Sequence, residues 1–517
     1  MLKIQLLLII LACAHLGESY KILAMFPFPS KSHHHLSQGV VRALLKAGHE
    51  VTQVTPYPDK DLPSNLKQVH ISALGMEDFT DRFNVTAVLN GEDPTSFSTL
   101  PKFIEVINRG VLTDQSVQKL LSDTTITFDV VISEWAFTDS YSGLGAIFNC
   151  PFIWFSTVEP HSMILGLIDE SLNPSYVPNI RSSITPPFGF ITRVKELLLQ
   201  LTFTAFDLFY LTNYQTKVFD EVLVPHIVSR GRPVIPFSAV RYNASLILGN
   251  SDASLGLPVR LPQAYKTVGG YHIDPVVKPL PDDLKKLLDN AKNGLVYFSM
   301  GSILQSSELP EQLKKDFLDV LGSLNQTVLW KFEEVLPNLS PNVHIVKWAP
   351  QQSILAHPNC ILFITHGGLL STTEAVHFGK PIIGIPVFGD QFSNVDRAVR
   401  KGFALRVNLA YDMKDKLKVA IDEFLQSKRY TEKAKELSLI YHDRPVPPSK
   451  ELVHWVEHVV KTRGAPHLRS PALDVPVYQK FYLDLVALIL TVLYVLKKIF
   501  VKICCSKKII DEKKKKN

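Results

Sequence analysis

Cysteine is scarce in this chain of 517 residues, which contains only five. One of them, Cys13, falls in an N-terminal apolar run, and two more lie close to the C-terminus. The body of the chain therefore keeps only Cys150 and Cys360, and their apolar neighbours predict buried free thiols. So few cysteines exclude a disulfide-stabilised scaffold, and no cysteine spacing is typical of a zinc site.

The net positive charge of the chain lies in its C-terminal tail. The whole chain has a net charge of +6, but the segment from Lys497 onward contains nine lysines against Asp511 and Glu512, a net charge of +7. The rest of the chain is therefore close to neutral, at about −1. Without a basic surface on its body, the chain is not expected to bind nucleic acid.

Each end of the chain carries a long apolar run. Residues 1–19 combine an early lysine, an apolar stretch and small residues, which predicts a secretory signal peptide. Residues 481–501 are apolar apart from Asp484 and two lysines, which predicts a transmembrane helix followed by a basic cytosolic tail over residues 502–517. Lys514 and Lys515 resemble a dilysine retrieval signal. These features predict a single-pass type I protein of the endoplasmic reticulum membrane with a lumenal body.

Apart from Asn338-Leu-Ser, which the following Pro341 weakens as an acceptor, three Asn-x-Ser/Thr sequences occur in the predicted lumenal body. They place candidate glycosylation sites at Asn84, Asn243 and Asn325. Each is an acceptor only if its side chain is exposed.

Strand and helix patterns alternate in two halves, which predicts an α/β protein with a doubly wound parallel sheet in each. The expected N-terminal domain covers residues 20–274 and the C-terminal domain residues 282–465, joined by a segment rich in proline and glycine.

Residues 188–214 form a long apolar segment. They are either a core helix or, as we prefer, an apolar surface that lines an acceptor site or rests on a membrane.

The stretch FITHGGLLSTTEA, residues 363–375, predicts a buried strand, a glycine turn and a helix. Ser371 and Glu374 fit the spacing of a capping box, in which each satisfies a free N–H group of the first helical turn. A strand that leads through glycines into a helix N-terminus forms an anion site, because free N–H groups and the helix dipole point toward the ligand.

Polar or glycine-rich residues follow several strands of the second half. They are residues 299–302, 348–351, 366–368 and 389–391. Because parallel strands end at the same edge of a sheet, we expect these residues to converge there. An aromatic plane, glycine N–H groups, a histidine and a carboxylate–amide pair together suit a base, a diphosphate and a sugar.

Residues 363–391 resemble the complete signature block of the UDP-glycosyltransferases. The resemblance extends to the WAPQ, SMGS and VGG sequences and covers nearly the entire chain, and the wording GLLSTTEAVHFG is similar to that of insect members. It implies the GT-B fold, with two Rossmann-like domains facing a cleft and a C-terminal transmembrane helix. The acceptor would bind the N-terminal domain and the UDP-sugar the C-terminal domain.

The same resemblance implies roles in the donor site. Trp348 would stack on uracil with Gln351 beside it, and Glu374 would accept hydrogen bonds from the ribose. The diphosphate would be held by small or hydrogen-bonding residues, namely Ser302, His366, Gly368 and Ser371. Asp390 and Gln391 would bind the sugar hydroxyls. Leu370 departs from the family pattern, which often has asparagine there.

The first half is expected to supply a general base. SKSHHHLSQG holds three consecutive histidines, which point about 100° apart on a helix and so do not form a metal site on one face. The resemblance aligns His33 with the catalytic base, whereas His34 and His35 are interpreted as helix-surface residues. At the place of the family's aspartate the chain has Glu134, with Asp139 as the alternative partner of His33.

The predicted reaction is the transfer of a hexose from a UDP-sugar to a hydroxyl group of a small lipophilic acceptor, with inversion. Insect-like members favour UDP-glucose, and no arginine matches a role in reading a glucuronate carboxylate. No cofactor or metal is expected, since the donor half lacks an Asp-x-Asp sequence. A homo-oligomer is only a family-level expectation. The rival hypotheses are a non-catalytic nucleotide-sugar-binding protein, a lipid carrier and a nucleotide-sugar epimerase.

Overall fold

Parallel pairing joins every strand that the structure describes into one of two sheets. The structure is a computed structural model that describes residues 18–72, 85–92, 96, 98–180, 182, 184–302 and 306–514, with side chains as far as Ile503. Contacts divide the chain into two units, one ending at Arg469 and the other beginning at Ser470. Both sheets belong to the first unit.

The first sheet has seven strands in the spatial order β3-β2-β1-β4-β5-β6-β7. In chain order these are Lys21–Met25 (β1), Glu50–Thr55 (β2), Leu66–His70 (β3), Val130–Glu134 (β4), Phe152–Ser156 (β5), Leu246–Gly249 (β6) and Tyr265–Thr267 (β7). The central strands β4 and β5 are buried at every position, as expected where helices cover both faces of a parallel sheet.

The second sheet has six strands in the order β10-β9-β8-β11-β12-β13. They are Leu295–Ser299 (β8), Thr327–Lys331 (β9), Val343–Val346 (β10), Cys360–Thr365 (β11), Ile382–Gly384 (β12) and Ala404–Arg406 (β13). Numbered within its own half, each sheet begins with the order 3-2-1-4-5-6, which is the Rossmann arrangement. The prediction of two doubly wound parallel sheets is confirmed.

Helices connect most of the strands, whereas β2 and β3, β6 and β7, and β9 and β10 follow each other without one. Those of the first half are Lys31–Lys46 (α1), Val85–Leu89 (α2), Leu100–Glu105 (α3), Gln115–Ser122 (α4), Gly143–Phe148 (α5), Ser162–Leu165 (α6), Phe190–Phe206 (α7), Thr212–Val218 (α8), Val224–Ser229 (α9) and Phe237–Val240 (α10). Those that follow are Asp282–Asn290 (α11), Glu311–Gly322 (α12), Gln351–Ala356 (α13), Leu369–His377 (α14), Gln391–Arg400 (α15), Met413–Gln426 (α16), Arg429–His442 (α17), Pro448–Lys461 (α18), Val477–Lys480 (α19) and Leu483–Lys514 (α20).

The helix α18 returns to the first half after the second sheet is complete. Its residues Leu452, Val456 and Val459 are buried in the hydrophobic core of the first sheet. Nε2 of His49, in the turn before β2, lies 3.4 Å from Oε1 of Glu457 on the same helix. The two halves are therefore tied together by a helix that crosses from one to the other.

The apolar segment over residues 188–214 is not a core helix. In α7 the one buried residue is Glu196, whose Oε2 accepts a hydrogen bond from the backbone N–H of Asn179 at 2.8 Å. Large apolar side chains are exposed instead, and Phe190 and Phe209 are 68% and 75% exposed. The core-helix interpretation is wrong, and the preferred interpretation as an apolar surface agrees with the exposure.

The second unit contains the long helix α20, and its described apolar side chains are exposed. Within the described part of the chain, no helix is long and apolar enough to cross a membrane. The predicted transmembrane helix over residues 481–501 is therefore not confirmed.

Other sequence predictions meet the structure only in part. The signal peptide up to residue 17, Asn84 and Lys515 of the predicted dilysine signal lie outside the described residues. Asn243 and Asn325 are exposed, as a glycosylation acceptor must be. Cys360 is a buried free thiol, whereas the free thiol of Cys150 is only partly buried.

Candidate active site

The order of strands reverses at one place in each sheet, and these two places carry the candidate site. In the first sheet β1 pairs with β2 on one side and with β4 on the other, and in the second sheet β8 pairs with β9 and β11. Ligands of open α/β sheets bind at the carboxyl ends of such strands, because the following loops diverge there. Most of the residues described below follow one of these strands or lie on an adjacent helix.

His33 and Glu134 meet at the reversal point of the first sheet. Met25 pairs with Ser133 across the sheet, so that Glu134 ends β4 beside the loop that leads to α1. Nδ1 of His33 hydrogen-bonds Oε1 of Glu134, and the ring of Phe28 stacks on the imidazole with a centroid distance of 3.9 Å. An ionised carboxylate only accepts hydrogen bonds, so this contact assigns the proton to Nδ1.

Glu134 is completely buried, and its second oxygen, Oε2, has no hydrogen-bond partner in the described part of the chain. A buried carboxylate is costly unless a partner compensates its charge. His33 is the partner that the structure supplies, because its side chain is 21% exposed and Nδ1 contacts Oε1 of Glu134. This geometry stabilises a positive charge on the imidazole.

Asp139, the alternative partner, is engaged elsewhere. Its carboxylate accepts hydrogen bonds from Nε1 of Trp135 and Nε of Arg241, both at 2.7 Å. Arg241 also contacts Asp207, which makes a buried ion-pair network below the sheet edge. Of the two carboxylates considered, only Glu134 contacts His33.

His34 and His35 differ in their surroundings. Nδ1 of His34 lies 3.4 Å from Oγ1 of Thr55 at the end of β2. The ring of His35 faces Trp348 of the second half with a centroid distance of 6.0 Å, and Nζ of Lys31 lies 5.4 Å from the centre of the same indole. The interpretation of His35 as a helix-surface residue is therefore incomplete, because it faces the predicted uracil platform.

In the second half His366 occupies a pocket of glycines. Thr365 pairs with Ser299, which brings the turn after β8 next to the turn after β11. A Cβ atom at Gly301 or Gly368 would lie only 2.5 Å from the imidazole ring of His366, and Gly301 has a φ of +86°. Burial lowers the pKa of His366 to about 4, and the charge of Lys331 acts in the same direction. The imidazole is therefore neutral near pH 7.

The helix α14 starts one residue after Gly368, which is its N-cap and has no side chain to donate or accept. Ser371 lies inside the first turn, so the predicted capping box of Ser371 and Glu374 is wrong. The sequence pattern misled because Ser371 accepts from Nε2 of Gln351 at 3.2 Å and Glu374 turns toward α13. The free N–H groups of the first turn remain available for an anion.

Glu374 has the richest set of partners in the site. Nε2 of Gln351 donates to its Oε2 at 2.6 Å and Nε2 of Gln352 donates to its Oε1 at 2.9 Å. Nε2 of His272 lies 3.6 Å from Oε1. Burial alone would raise the pKa of Glu374, but His272 and the two amides more than offset it and hold that pKa below its ordinary value.

Asp390 and Gln391 stand at the start of α15. Oδ2 of Asp390 accepts from Nδ2 of Asn394 at 2.8 Å, whereas Oε1 of Gln391 accepts from the backbone of Val387 at 2.8 Å. Burial raises the pKa of Asp390, although Asn394 and the charge of His33 act in the opposite direction. Of the charges that act on the pKa of Asp390, that of His33 comes from the first half.

The structure brings the predicted residues together, but two further residues escaped the sequence reasoning. Nζ of Lys331, at the end of β9, donates to the carbonyl oxygen of Gly301 at 2.9 Å and so places a cation beside His366. A lysine that ends the strand TVLWK could have been found by the rule used for the other strand ends. His272 lies in a segment that resembled a simple connection, and no local signal pointed to it.

Ser302 is partly buried directly after Gly301, in the turn that faces His366. Among the described residues, no group of three or more histidine, cysteine, aspartate or glutamate side chains is arranged to hold a metal ion. The site thus consists of one histidine–carboxylate pair in the first half and, in the second, a pocket rich in amides and glycines that also holds Lys331, the neutral imidazole of His366 and the carboxylates of Glu374 and Asp390.

Two Rossmann-like sheets with facing sites define the GT-B class of glycosyltransferase. The glycosyltransferase of kitacinnamycin is similar in structure, with a TM-score of 0.56 and 16% identity over 86% of this chain and 99% of that one. At this identity the likeness concerns the fold alone.

The sequence comparisons identify the family. Residues 21–516 match the family described as UDP-glucoronosyl and UDP-glucosyl transferase. UDP-glycosyltransferase UGT5 of Dactylopius coccus is 32% identical, over 92% of this chain and 90% of its own length. UDP-glucuronosyltransferase 2B15 of Rattus norvegicus is also 32% identical, over 94% and 93%. The chain belongs to this family and is a UDP-glycosyltransferase.

Proposed function

We propose that this enzyme transfers glucose from UDP-glucose to a hydroxyl group of a small lipophilic acceptor, with inversion at the anomeric carbon. The observation that carries the proposal is the contact of His33 with the buried carboxylate of Glu134 at the reversal point of the first sheet. The second half then supplies the groups that suit a nucleotide and a diphosphate.

His33 acts as the general base in this proposal. With its Nδ1 proton directed to Glu134, its Nε2 is free to accept the proton of the acceptor hydroxyl. The acceptor oxygen forms a bond to the anomeric carbon while the bond from that carbon to the phosphate oxygen breaks, and UDP leaves with the electron pair. Glu134 stabilises the imidazolium that results, as the buried carboxylate of a catalytic triad does.

The leaving diphosphate gains negative charge, and the second half offers donors for it. Lys331, the neutral imidazole of His366 and the N–H groups at the start of α14 lie around the turn of Gly301. Preorganised donors of this kind stabilise developing charge without a metal ion. We therefore propose that the reaction needs neither a metal nor an organic cofactor, and that EDTA leaves the rate unchanged.

Trp348 is 52% exposed and offers a face for uracil, and the resemblance assigns the ribose to Glu374 and the sugar hydroxyls to Asp390 and Gln391. Glucose is preferred over glucuronate because no arginine matches a role in binding a sugar carboxylate.

The test is product formation by microsomes that express the full chain, with UDP-glucose and a panel of phenols. We compare His33→Ala with His34→Ala, a matched change in the same run of histidines. His33→Ala should lose about a hundredfold to ten-thousandfold in rate, the usual contribution of a general base, while His34→Ala stays within a few-fold of the parent.

Equal rates for the parent and His33→Ala contradict the assignment of the base. Product that forms only with UDP-glucuronate contradicts the proposal that glucose is the sugar transferred. If no UDP-sugar gives product although UDP protects the protein against heating, the non-catalytic binding protein is the better description.

We also propose that the enzyme is anchored in the endoplasmic reticulum membrane through its C-terminal helix. The apolar residues of α20 are exposed, and its charged residues Asp484, Lys497 and Lys498 lie near the ends of the segment over residues 481–501. Long lysine side chains can reach the headgroup region from such positions. Extraction of microsomes with alkaline carbonate should leave the parent in the membrane and release a chain truncated after residue 469, and release of both overturns the anchor.

A further inference from the structure

His272 is the most deeply placed unpartnered histidine near the donor site. Only 3% of the residue is exposed, and neither ring nitrogen has a hydrogen-bond partner in the described part of the chain. A buried imidazole normally finds a partner for its N–H group, because an unsatisfied donor loses its hydration without compensation. The nearby acceptor is Oε1 of Glu374, 3.6 Å from Nε2.

The backbone around His272 is held firmly by the first half. Gly39 of α1 packs so closely that a Cβ atom there would lie 2.8 Å from Cα of His272. Nη2 of Arg42, one turn further along the same helix, donates to the carbonyl oxygen of His272 at 3.0 Å. Since α1 also carries His33, His272 is packed against the helix of the proposed base.

A second connection runs from the same segment to Glu374. The backbone N–H of Asp274 donates to Oε1 of Gln352 at 3.2 Å, and Nε2 of Gln352 donates to Oε1 of Glu374 at 2.9 Å. The carboxylate of the second half is thus approached by the first half twice, directly by His272 and through Gln352.

We infer that His272 is a positioning residue of the donor site, which donates from Nε2 to Oε1 of Glu374 and directs the one remaining acceptor position of the carboxylate toward the 2′-hydroxyl of the ribose. A carboxylate has about four acceptor positions, and Gln351 and Gln352 occupy two of them. With His272 on a third position, the carboxylate keeps a single orientation for the ribose. The inference rests on the proposed donor site and makes that site incomplete without the first half.

The experiment measures the affinity of the full-length protein for UDP and for 2′-deoxy-UDP by calorimetry. His272→Leu removes both nitrogens, His272→Gln keeps an N–H donor near the position of Nε2, and His226→Leu is the matched control on α9. His272→Leu should weaken UDP about tenfold, as expected for a hydrogen bond to a charged group, and weaken 2′-deoxy-UDP by less than twofold. His272→Gln should restore most of the loss, and His226→Leu should have no effect.

A double-mutant cycle of His272→Leu and Glu374→Gln distinguishes a positioning role of His272 from a role in packing alone. If His272 acts through Glu374, adding His272→Leu to Glu374→Gln should change the affinity for UDP no further. In steady-state assays His272→Leu should raise the KM for the UDP-sugar about tenfold and leave kcat within about threefold. An equal loss for both nucleotides, or a full additional loss in the Glu374→Gln background, overturns the inference.

If His272→Leu fails to fold, His272→Gln and His272→Asn decide the question. Glutamine reaches toward the position of Nε2 and asparagine toward that of Nδ1, so glutamine should bind UDP more tightly, and the reverse order overturns the inference. A parent protein that does not bind UDP overturns the donor site itself. If the parent binds UDP and forms glucoside, but His272→Leu has the same affinity for UDP as His226→Leu, only the role of His272 is overturned.

Discussion

The two halves of this enzyme share one strand order but use its reversal point for different chemistry. In the first half a single histidine meets a completely buried glutamate, and one oxygen of that carboxylate has no hydrogen-bond partner among the described residues. In the second half Glu374 is surrounded by donors and has a pKa below its ordinary value. The fold places a carboxylate at the reversal point of each sheet. In the proposed mechanism the number of its partners distinguishes Glu134, which stabilises a positive charge on His33, from Glu374, which accepts hydrogen bonds from the ligand.

The sharpest way to break this comparison is Glu134→Gln. An amide at this position can donate to Nδ1 of His33, which moves the imidazole proton to Nε2 and removes the base. We expect kcat to fall about a thousandfold, with the KM for the UDP-sugar nearly unchanged because the donor binds the other half. Glu134→Asp, which keeps the charge but shortens the side chain, should retain more activity than Glu134→Gln, and a Glu134→Gln enzyme with full kcat contradicts the assignment.

Asp139→Asn tests the alternative carboxylate of the first half. The change leaves Arg241 buried with a weaker partner, so we expect the free energy of unfolding to fall by about 3 kcal/mol. The kcat of the folded enzyme should stay within a few-fold of the parent, since Asp139 does not contact His33. Denaturation in urea and assays at low temperature measure the two effects, and a selective loss of kcat would favour Asp139 as the partner.

Glu159 sharpens the comparison because it follows β5 of the first sheet but is close to charges on α15 of the second half. Burial raises its pKa from 4.5 to about 7, and Arg397 opposes that shift. The folded state therefore holds a proton that the unfolded state releases, and its stability should fall as the pH rises from about 4.5 through 7, by about 3 kcal/mol at most.

Glu159→Gln should remove that part of the pH dependence. The variant should equal the parent near pH 4.5 and be the more stable of the two at pH 8, as measured by urea unfolding at both values. Parallel stability curves for the two proteins would show that Glu159 ionises normally in the folded state.

The smallest expected effect belongs to the donor half. Trp348→Ala should raise the KM for the UDP-sugar about tenfold, which corresponds to the loss of one base–aromatic stack, with little change in kcat. Trp348→Phe keeps an aromatic face and should recover part of the affinity. Unchanged KM in Trp348→Ala would place the uracil elsewhere, for example against His35.

Several features followed from the sequence because they depend on neighbours in the chain. The alternation of strands and helices in both halves was predicted, with most of the central strands, since buried runs and their periodicity are local properties. So were the glycine turns after β8 and β11 and the convergence of strand ends at one edge. Two other interpretations were wrong: the core helix over residues 188–214 and the capping box at Ser371. Local patterns could not decide them, because only the surrounding structure determines which face of a helix is covered and where a helix begins.

By itself, then, the sequence determined two doubly wound sheets, the family and a set of polar strand ends, all readable from local patterns and motifs. The tertiary structure decided that His33 pairs with Glu134 and not with Asp139, that His35 faces Trp348, and that His272 reaches Glu374. The physical reason is that each of these contacts joins residues separated by about a hundred positions or more. Their distances depend on strand register and on the packing of one half against the other, which no local pattern records.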